Sequence, residues 1–414
     1  MKEQDLIIGL TAVIWESGLT NSLLEEKGGF LYPCSMNKKV GIERCFSYDS
    51  AEVYTALKRA IDLAGDLDVA GKTVLLKPNI LSDESPEKAI TTHPVFLEVA
   101  IKLVAEMGAR RILVGDSPGM QPPGFSGKTC GLGEVTRKNG AEWVDFTKGK
   151  IDFSCPDGKV VKKFTLAGAA KEADVIISIP KLKTHQLMYF TGAMKNLFGL
   201  VPSLAKSPYH ARFSSRESFA AMLVDLNLVF KSCYAFMDAI TGMEGPGPAG
   251  GKPRQVGLVL ASSNLLAIDV AATSIIAYPP AKIPVNREAL ERGCWLSSFD
   301  EIEYPGLSPD DVRIPDYVKI PMKKTTSQFL DFLLPRPVRR FKDSLAPGPE
   351  INHDTCIRCG DCIKICASQI MSLVKQEKAY VHIDYKRCIR CFCCHEICPV
   401  NAIDIAKKPQ NKNP

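Results

Sequence analysis

The chain has 414 residues, 45% apolar and 24% charged, with a net charge of +6; that is length enough for two or three domains with a substantial core. The charge is mild, and lysine and arginine are not interleaved with aromatics as a nucleic-acid face requires, so no nucleic-acid partner is expected. Fifteen cysteines suit a reducing, cytoplasmic setting, anaerobic or microaerobic if iron clusters are present.

Residues 1–39 read as an N-terminal extension. Its apolar stretch Leu6 to Trp15 is too short to span a bilayer and lacks a basic flank and a cleavage site, so a membrane location is not expected. Cys34 there reads as a buried thiol.

From residue 40 to 300 strand-like and helix-like segments alternate, which predicts an α/β fold with a mostly parallel open sheet and flanking helices. Expected strands are Val40 to Cys45, Lys72 to Lys77, Arg110 to Gly115, Trp143 to Phe146, Asp174 to Ile179, Cys233 to Asp238 and Val256 to Leu260. Expected helices are Ala51 to Ala64, Pro94 to Met107 with Thr92 or His93 near its cap, Gly131 to Asn139, Arg216 to Lys231 and Leu265 to Ala277.

In such a sheet, ligands bind beyond the carboxyl ends of the strands. Four predicted strands run there into polar residues: Lys77-Pro78-Asn79, then Asp116-Ser117-Pro118-Gly119, then Pro180-Lys181-Leu182-Lys183-Thr184-His185, and Asp238 before a glycine-rich loop carrying Glu244. Their ends should converge. Lys77, Lys181, Lys183 and Lys195, with Asn79 and Asn196, form a candidate site for an anionic small molecule, carboxylate or phosphate. His185, Asp116 and Asp238 are candidate proton carriers. One lysine alone reads as a solvated charge; their recurrence at strand ends is what points to a site.

The stretch Thr191 to Gly199, with glycines at 192 and 199, permits close backbone approach, and a helix starting there would offer free N–H groups to an anion; a plain buried turn is the rival reading. Two nucleotide motifs fail. Gly127-Lys128-Thr129 ends like a P-loop, but Pro122 stands where the first glycine belongs. Gly245, Gly247 and Gly250 match G-x-G-x-x-G, but Pro246 and Pro248 intervene and a strand follows. No motif marks a flavin or nicotinamide site.

Residues 301–349 read as a wrapping segment and linker. Within it, Phe329 to Phe341 mixes apolar and basic residues; a membrane-surface helix and a docked linker are both readings, and Pro335 and Pro337 favour the linker.

Residues 350–406 carry two runs of the form C-x2-C-x2-C-x3-C: Cys356, Cys359, Cys362, Cys366 and Cys388, Cys391, Cys394, Cys398. Three thiolates of such a run converge on one [4Fe-4S] cluster and the fourth crosses to the other. One cluster then takes Cys356, Cys359, Cys362 and Cys398; the second takes Cys388, Cys391, Cys394 and Cys366. Zinc is the competing reading, but structural zinc takes four ligands in separated pairs. Pro399 follows the second run, whereas Ala367 replaces the usual proline after the first. Cys393, inside the second run, reads as a bystander beside the cluster. Ile370 to Val374, Tyr380 to Ile383 and Ala402 to Ile405 read as short strands, and residues 407–414 as a polar tail. This module resembles the bacterial two-cluster ferredoxin.

The large domain, over about residues 40 to 280, resembles the DUF362 family. The resemblance rests on Leu76-Lys77-Pro78-Asn79, Gly115-Asp116-Ser117-Pro118-Gly119, Ile179 to His185, Met194 to Gly199 and Asp238-Ala239-Ile240 leading to the Gly245 to Gly251 loop. It implies an α/β domain with a ferredoxin-like tail and leaves the reaction open. The first functional expectation is a ferredoxin-linked oxidoreductase that relays single electrons from a soluble partner protein to an anionic substrate or cofactor. The alternative is a non-catalytic electron-transfer or assembly partner of a client enzyme.

Overall fold

The computed structural model describes residues 37–121, 125–322, 347–375, 379–407 and 409–411. The Leu6 to Trp15 stretch, Cys34, Pro122 and the Phe329 to Phe341 segment lie outside the described residues.

In chain order the first half runs β1 (Gly41–Arg44), α1 (Ser50–Ala64), β2 (Thr73–Pro78), α2 (Pro94–Glu106), β3 (Arg111–Val114), α3 (Leu132–Lys138), β4 (Glu142–Trp143), a hairpin of β5 (Ile151–Ser154) and β6 (Lys163–Leu166), and α4 (Ala169–Glu172). Then follow β7 (Val175–Ile179), β8 (Lys181–His185), β9 (Tyr189–Thr191), α5 (Ala193–Asn196), α6 (Lys206–Arg212), α7 (Arg216–Leu228), β10 (Cys233–Glu244), β11 (Lys252–Ser262), α8 (Leu265–Ile275) and α9 (Pro284–Arg292). Helix starts follow local chemistry: Asp49 caps α1 by accepting from the backbone N–H groups of Ala51 and Glu52, each at 3.0 Å, and His93 Nδ1 caps α2 by accepting from Val95 N at 3.2 Å.

The main sheet has nine strands, in the order β1-β11-β10-β7-β2-β3-β4, with β8 attached to β10 and β9 to β8. The β7-β2-β3-β4 block and the β10 contacts with β7 and β8 are parallel; β1, β11 and β9 are antiparallel additions. Every residue of β2 and β7 is buried, because both faces of the sheet are covered. Alternate residues feed two cores. Val74, Leu76, Ile177 and Phe236 pack under α1 and α2, while Leu75, Ile176, Ala235 and Met237 pack under α7 and α8.

The largest departure from expectation is Lys181 to His185. Read from sequence as a loop past a strand end, it is itself a strand. Pro180 breaks the ladder of β7 with β10 at Ala235, and the chain resumes as β8 on the same edge of β10, with Lys181 opposite Asp238 and Lys183 opposite Met243. β10 accordingly runs on to Glu244, six residues beyond the expected end. The β5–β6 hairpin and β9 were not anticipated from the hydrophobic pattern.

The chain after α9 lies along the main domain: Val40 N donates to Glu303 O, Gly245 N to Val318 O at 2.7 Å, and the Tyr317 hydroxyl to Met243 O at 2.7 Å. The C-terminal module consists of β12 (Gly348–Ile351), α10 (Asp361–Ile365), β13 (Met371–Val374), β14 (Tyr380–Ile383), α11 (Cys393–Ile397) and β15 (Ile403–Ala406). β12 pairs with β15 and β13 with β14, both antiparallel, around a small core of Ile351, Ile370, Met371, Val381, Ile383 and Ile403. Among the described residues, no helix is long and apolar enough to cross a membrane.

Candidate functional site

The C-terminal cysteines ring two hollows. One is lined by Cys356, Cys359, Cys362 and Cys398, the other by Cys366, Cys388, Cys391 and Cys394. Each set draws three thiols from one run and the fourth from the other, the crossed arrangement expected from the spacing. A tetrahedral zinc, with Zn–S near 2.3 Å, needs its sulfurs about 3.8 Å apart. Among the described residues, no three histidine, cysteine or carboxylate side chains gather tightly enough to grip a single ion. Four thiols around each hollow, three from one run and one from the other, match the [4Fe-4S] pattern of the spacing. Backbone N–H groups tune the crossing ligands: Ala402 N donates to Cys398 Sγ at 3.1 Å and Ile370 N to Cys366 Sγ at 3.5 Å. Cys393 is buried beside this shell, and the neighbouring Cys391, with burial, raises its pKa well above the ordinary thiol range.

The module is held against the α/β domain by several specific contacts. His395 bridges two carbonyls, Nδ1 to Ile403 O at 2.5 Å and Nε2 to Pro246 O at 3.2 Å. Gly250 leaves room for that ring, for a Cβ there would lie 2.9 Å from Cε1. Ser207 Oγ donates to Ile365 O at 3.2 Å, and Glu396 Oε1 lies 3.2 Å from His185 Nε2.

Between the two parts lies a cavity of about 100 Å³. Lys77, Asn79, Asp116, His185, Lys195 and Asn196 line it from the α/β side, joined by Ser117, Thr191, Lys206 and His210; the module contributes Ile365, Cys393, Glu396 and Ile397. Of the nine candidate residues in the α/β domain, six therefore converge here. The other three do not line it. Lys181 is committed to Asp238, 2.9 Å away, and to the Tyr48 hydroxyl at 2.6 Å, an arrangement closed by the Tyr48–His93 ring stack. Lys183 donates to Ile90 O at 2.7 Å, with burial first and Lys195 second pushing its pKa down to about 7.

At the base of the cavity Lys77 and Asp116 form a buried ion pair at 2.7 Å. Lys77 Nζ also donates to Pro78 O and to Asn196 Oδ1, and Asp116 accepts from Ile80 N and Ser117 N. Gly199 makes this pair possible, since a Cβ there would sit 2.0 Å from Asp116 Oδ1 and 2.4 Å from Lys77 Nζ. At the other glycine the expectation of an anion at the helix start is met from within the chain: the Asp269 carboxylate accepts from Ala193 N at 2.6 Å and Met194 N at 3.1 Å. That helix end is consequently closed to an outside ligand.

The remaining lining is electrically unbalanced. His185 Nδ1 accepts from Leu187 N and Met188 N, so its proton sits on Nε2, and burial followed by Lys195 pushes its pKa down to about 4. Burial pushes His210 to about 4 as well. Lys206, whose Nζ donates to Ser117 O at 2.5 Å, is pushed by burial down to about 7. Glu396 is raised by burial but more strongly lowered by His185, Lys195 and His210 together, to about 2. Among the described residues, four polar atoms of the lining have no hydrogen-bond partner: Asn79 Oδ1, Thr191 Oγ1, His210 Nδ1 and Glu396 Oε1, the last near His185 in distance but not aligned with it. Lys206, His210 and Glu396 escaped the sequence reading, because they sit on helices outside the strand-end motifs.

Comparison with known proteins agrees with this architecture. Residues 74–274 match the domain of unknown function DUF362, and residues 355–402 match a 4Fe-4S dicluster domain. A thylakoid-associated protein of Synechocystis is 30% identical over 308 residues, 73% of this chain and 93% of that protein. The chain belongs to the DUF362 family. Its C-terminal module makes this DUF362 protein an iron–sulfur protein of the electron-transfer type. Among solved structures, the lactate racemase apoprotein of Thermoanaerobacterium thermosaccharolyticum is similar at 14% identity and a TM-score of 0.37, over 56% of this chain and 57% of that one. A Thermotoga maritima protein is similar at 11% identity and a TM-score of 0.32, over 50% and 53%. These likenesses concern the α/β fold alone.

Proposed function

We propose that this DUF362 protein is a cytoplasmic, ferredoxin-linked oxidoreductase that binds two [4Fe-4S] clusters and passes single electrons to an anionic small molecule in the cavity. The observation that carries the reading is the wall shared by cavity and module. Cys393 lies between Cys391 and Cys394, and Ile365 directly precedes Cys366, so the cluster of Cys388, Cys391, Cys394 and Cys366 is the inner one. The other is the outer one. Cys359 is exposed, and Ile357 and Val400, 59% and 39% exposed, flank its ligands, which suits a soluble partner protein docking there to deliver electrons.

The clusters supply one-electron transfer; the chain supplies binding and protons. Lys195 and Lys206 attract the anion, and the Lys77–Asp116 pair with Asn196 fixes the floor. Lys206, titrating near neutrality, is the best-placed proton source in the lining. His185 presents a neutral Nε2–H, and Asp116 is taken up in holding Lys77. Lys181, Lys183 and Asp238 shape the fold behind the cavity.

The test is anaerobic purification, mass spectrometry of acid-released small molecules, and electron paramagnetic resonance of the dithionite-reduced protein. The reading expects two cubane signals, one of them altered when the cavity is filled and unaltered in Lys195→Met. A stoichiometric protein partner with no small anion, and signals indifferent to the cavity, favour the alternative of an assembly or electron-transfer partner. Zinc in place of iron overturns both.

A further inference from the structure

We propose that the cavity takes a small anion that carries its own hydrogen-bond donor, a hydroxycarboxylate of no more than about ten non-hydrogen atoms, a size set by the room a water-sized atom needs. This rests on the redox reading only for the ligand being a substrate; its binding is a separate matter.

Size comes first. The cavity measures about 100 Å³, and at roughly 10–15 Å³ for each water-sized atom it holds some seven to ten. A whole flavin or nucleotide exceeds that space. Charge comes second. Lys195 and Lys206 both line the cavity, and Lys77 beside them is already paired with Asp116. Those ammonium groups favour an anion.

The unpartnered atoms decide the rest. Asn79 spends its amide N–H on Asn196 Oδ1 at 3.2 Å, which leaves Oδ1 able only to accept, and Glu396 Oε1 is likewise an acceptor. A plain carboxylate has no donor to offer them. Thr191 and His210, 2% and 8% exposed, bring two more unmet atoms. The His210 ring is fixed by its stack on Phe219, with centroids 4.6 Å apart, and its edge contact with Phe198. These groups suit a hydroxyl held beside a carboxylate.

The experiment is calorimetric titration of the anaerobically purified full chain with sodium glycolate, acetate and FMN, each up to about 10 mM. Glycolate is expected to bind at least tenfold more tightly than acetate or FMN. Lys195→Met should abolish that binding, and the isosteric Thr191→Val should erase most of the preference over acetate, with the visible cluster absorbance of both variants unchanged as a check on folding. Equal or tighter binding of acetate or FMN, binding that survives Lys195→Met, or no binding of any probe overturns the inference. Because no electron transfer is read, a positive result stands even if the clusters never respond to the ligand, and a responding cluster with the wrong preference fails this inference alone.

Discussion

Asp116→Ala tests the cavity floor most directly. Lys77 is fully buried and Asp116 is 3% exposed, so the variant leaves an ammonium in the interior with two neutral acceptors and strips the backbone N–H groups of Ile80 and Ser117 of their carboxylate. Breaking one partner of a buried pair costs about 3–5 kcal/mol. For a cooperative unit of this size, with an unfolding entropy of about 0.6 kcal/mol/K, that is a fall of roughly 5–8 °C in melting temperature. The sign with pH follows from Lys77. Burial already lowers its pKa, and Asp116 is the chief influence raising it. Without Asp116 the folded-state pKa drops further, so the folded protein binds fewer protons than the unfolded chain and stability climbs as pH rises toward the lysine's ordinary value. The deficit should therefore be smaller at pH 9 than at pH 7. Differential scanning fluorimetry of cluster-loaded protein reads both effects. A fall under about 2 °C, or a Lys77→Met/Asp116→Leu double variant no more stable than Asp116→Ala, would refute the reasoning.

Cys366→Ser and Cys398→Ser should each cost about half the iron, measured by colorimetric assay, but only Cys366→Ser should disturb binding in the cavity. Glycolate affinity should weaken above about pH 7, by up to tenfold per pH unit, as Lys206 loses its proton; titration calorimetry of Lys206→Met should show this dependence removed. Asp269→Ala leaves Ala193 N and Met194 N unpaired, for a loss of about 2–4 kcal/mol. Burial raises the Asp269 pKa to about 7, so its stabilising contribution fades as pH rises through that value, and the melting deficit should be wider at pH 6 than at pH 8.5. Gly250→Val forces a side chain onto His395 and should loosen the module, seen as faster hydrogen exchange in α11.

The cysteine spacing made the crossed thiol sets legible, because each ligand's position follows from chain geometry over a few residues. The strands with unbroken apolar runs, such as Val175–Ile179, were equally legible, since full burial leaves a simple signature. Lys181 to His185 was not. Its alternating polar residues resemble a loop, and only the long partner β10, which continues past Ala235, turns them into a strand. The cavity was half visible: strand-end motifs located Lys77, Asn79 and Asp116. Lys206 and His210 on α6, and Glu396 on α11, carry no local mark and become neighbours only through tertiary packing. Lys181 and Asp238 were misleading for the same reason, since their opposition in the ladder satisfies them internally.

Helix α11 spans five residues and faces two ways. Cys394 lies on it and Cys398 directly follows it, both lining the cysteine hollows, while Cys393, Glu396 and Ile397 close one side of the cavity. On the proposed reading, cluster loading and ligand capture are thermodynamically coupled, each strengthening the other by the same factor. On that reading a newly made chain without iron offers an unfinished pocket, and the ligand is held firmly only by molecules already equipped with clusters.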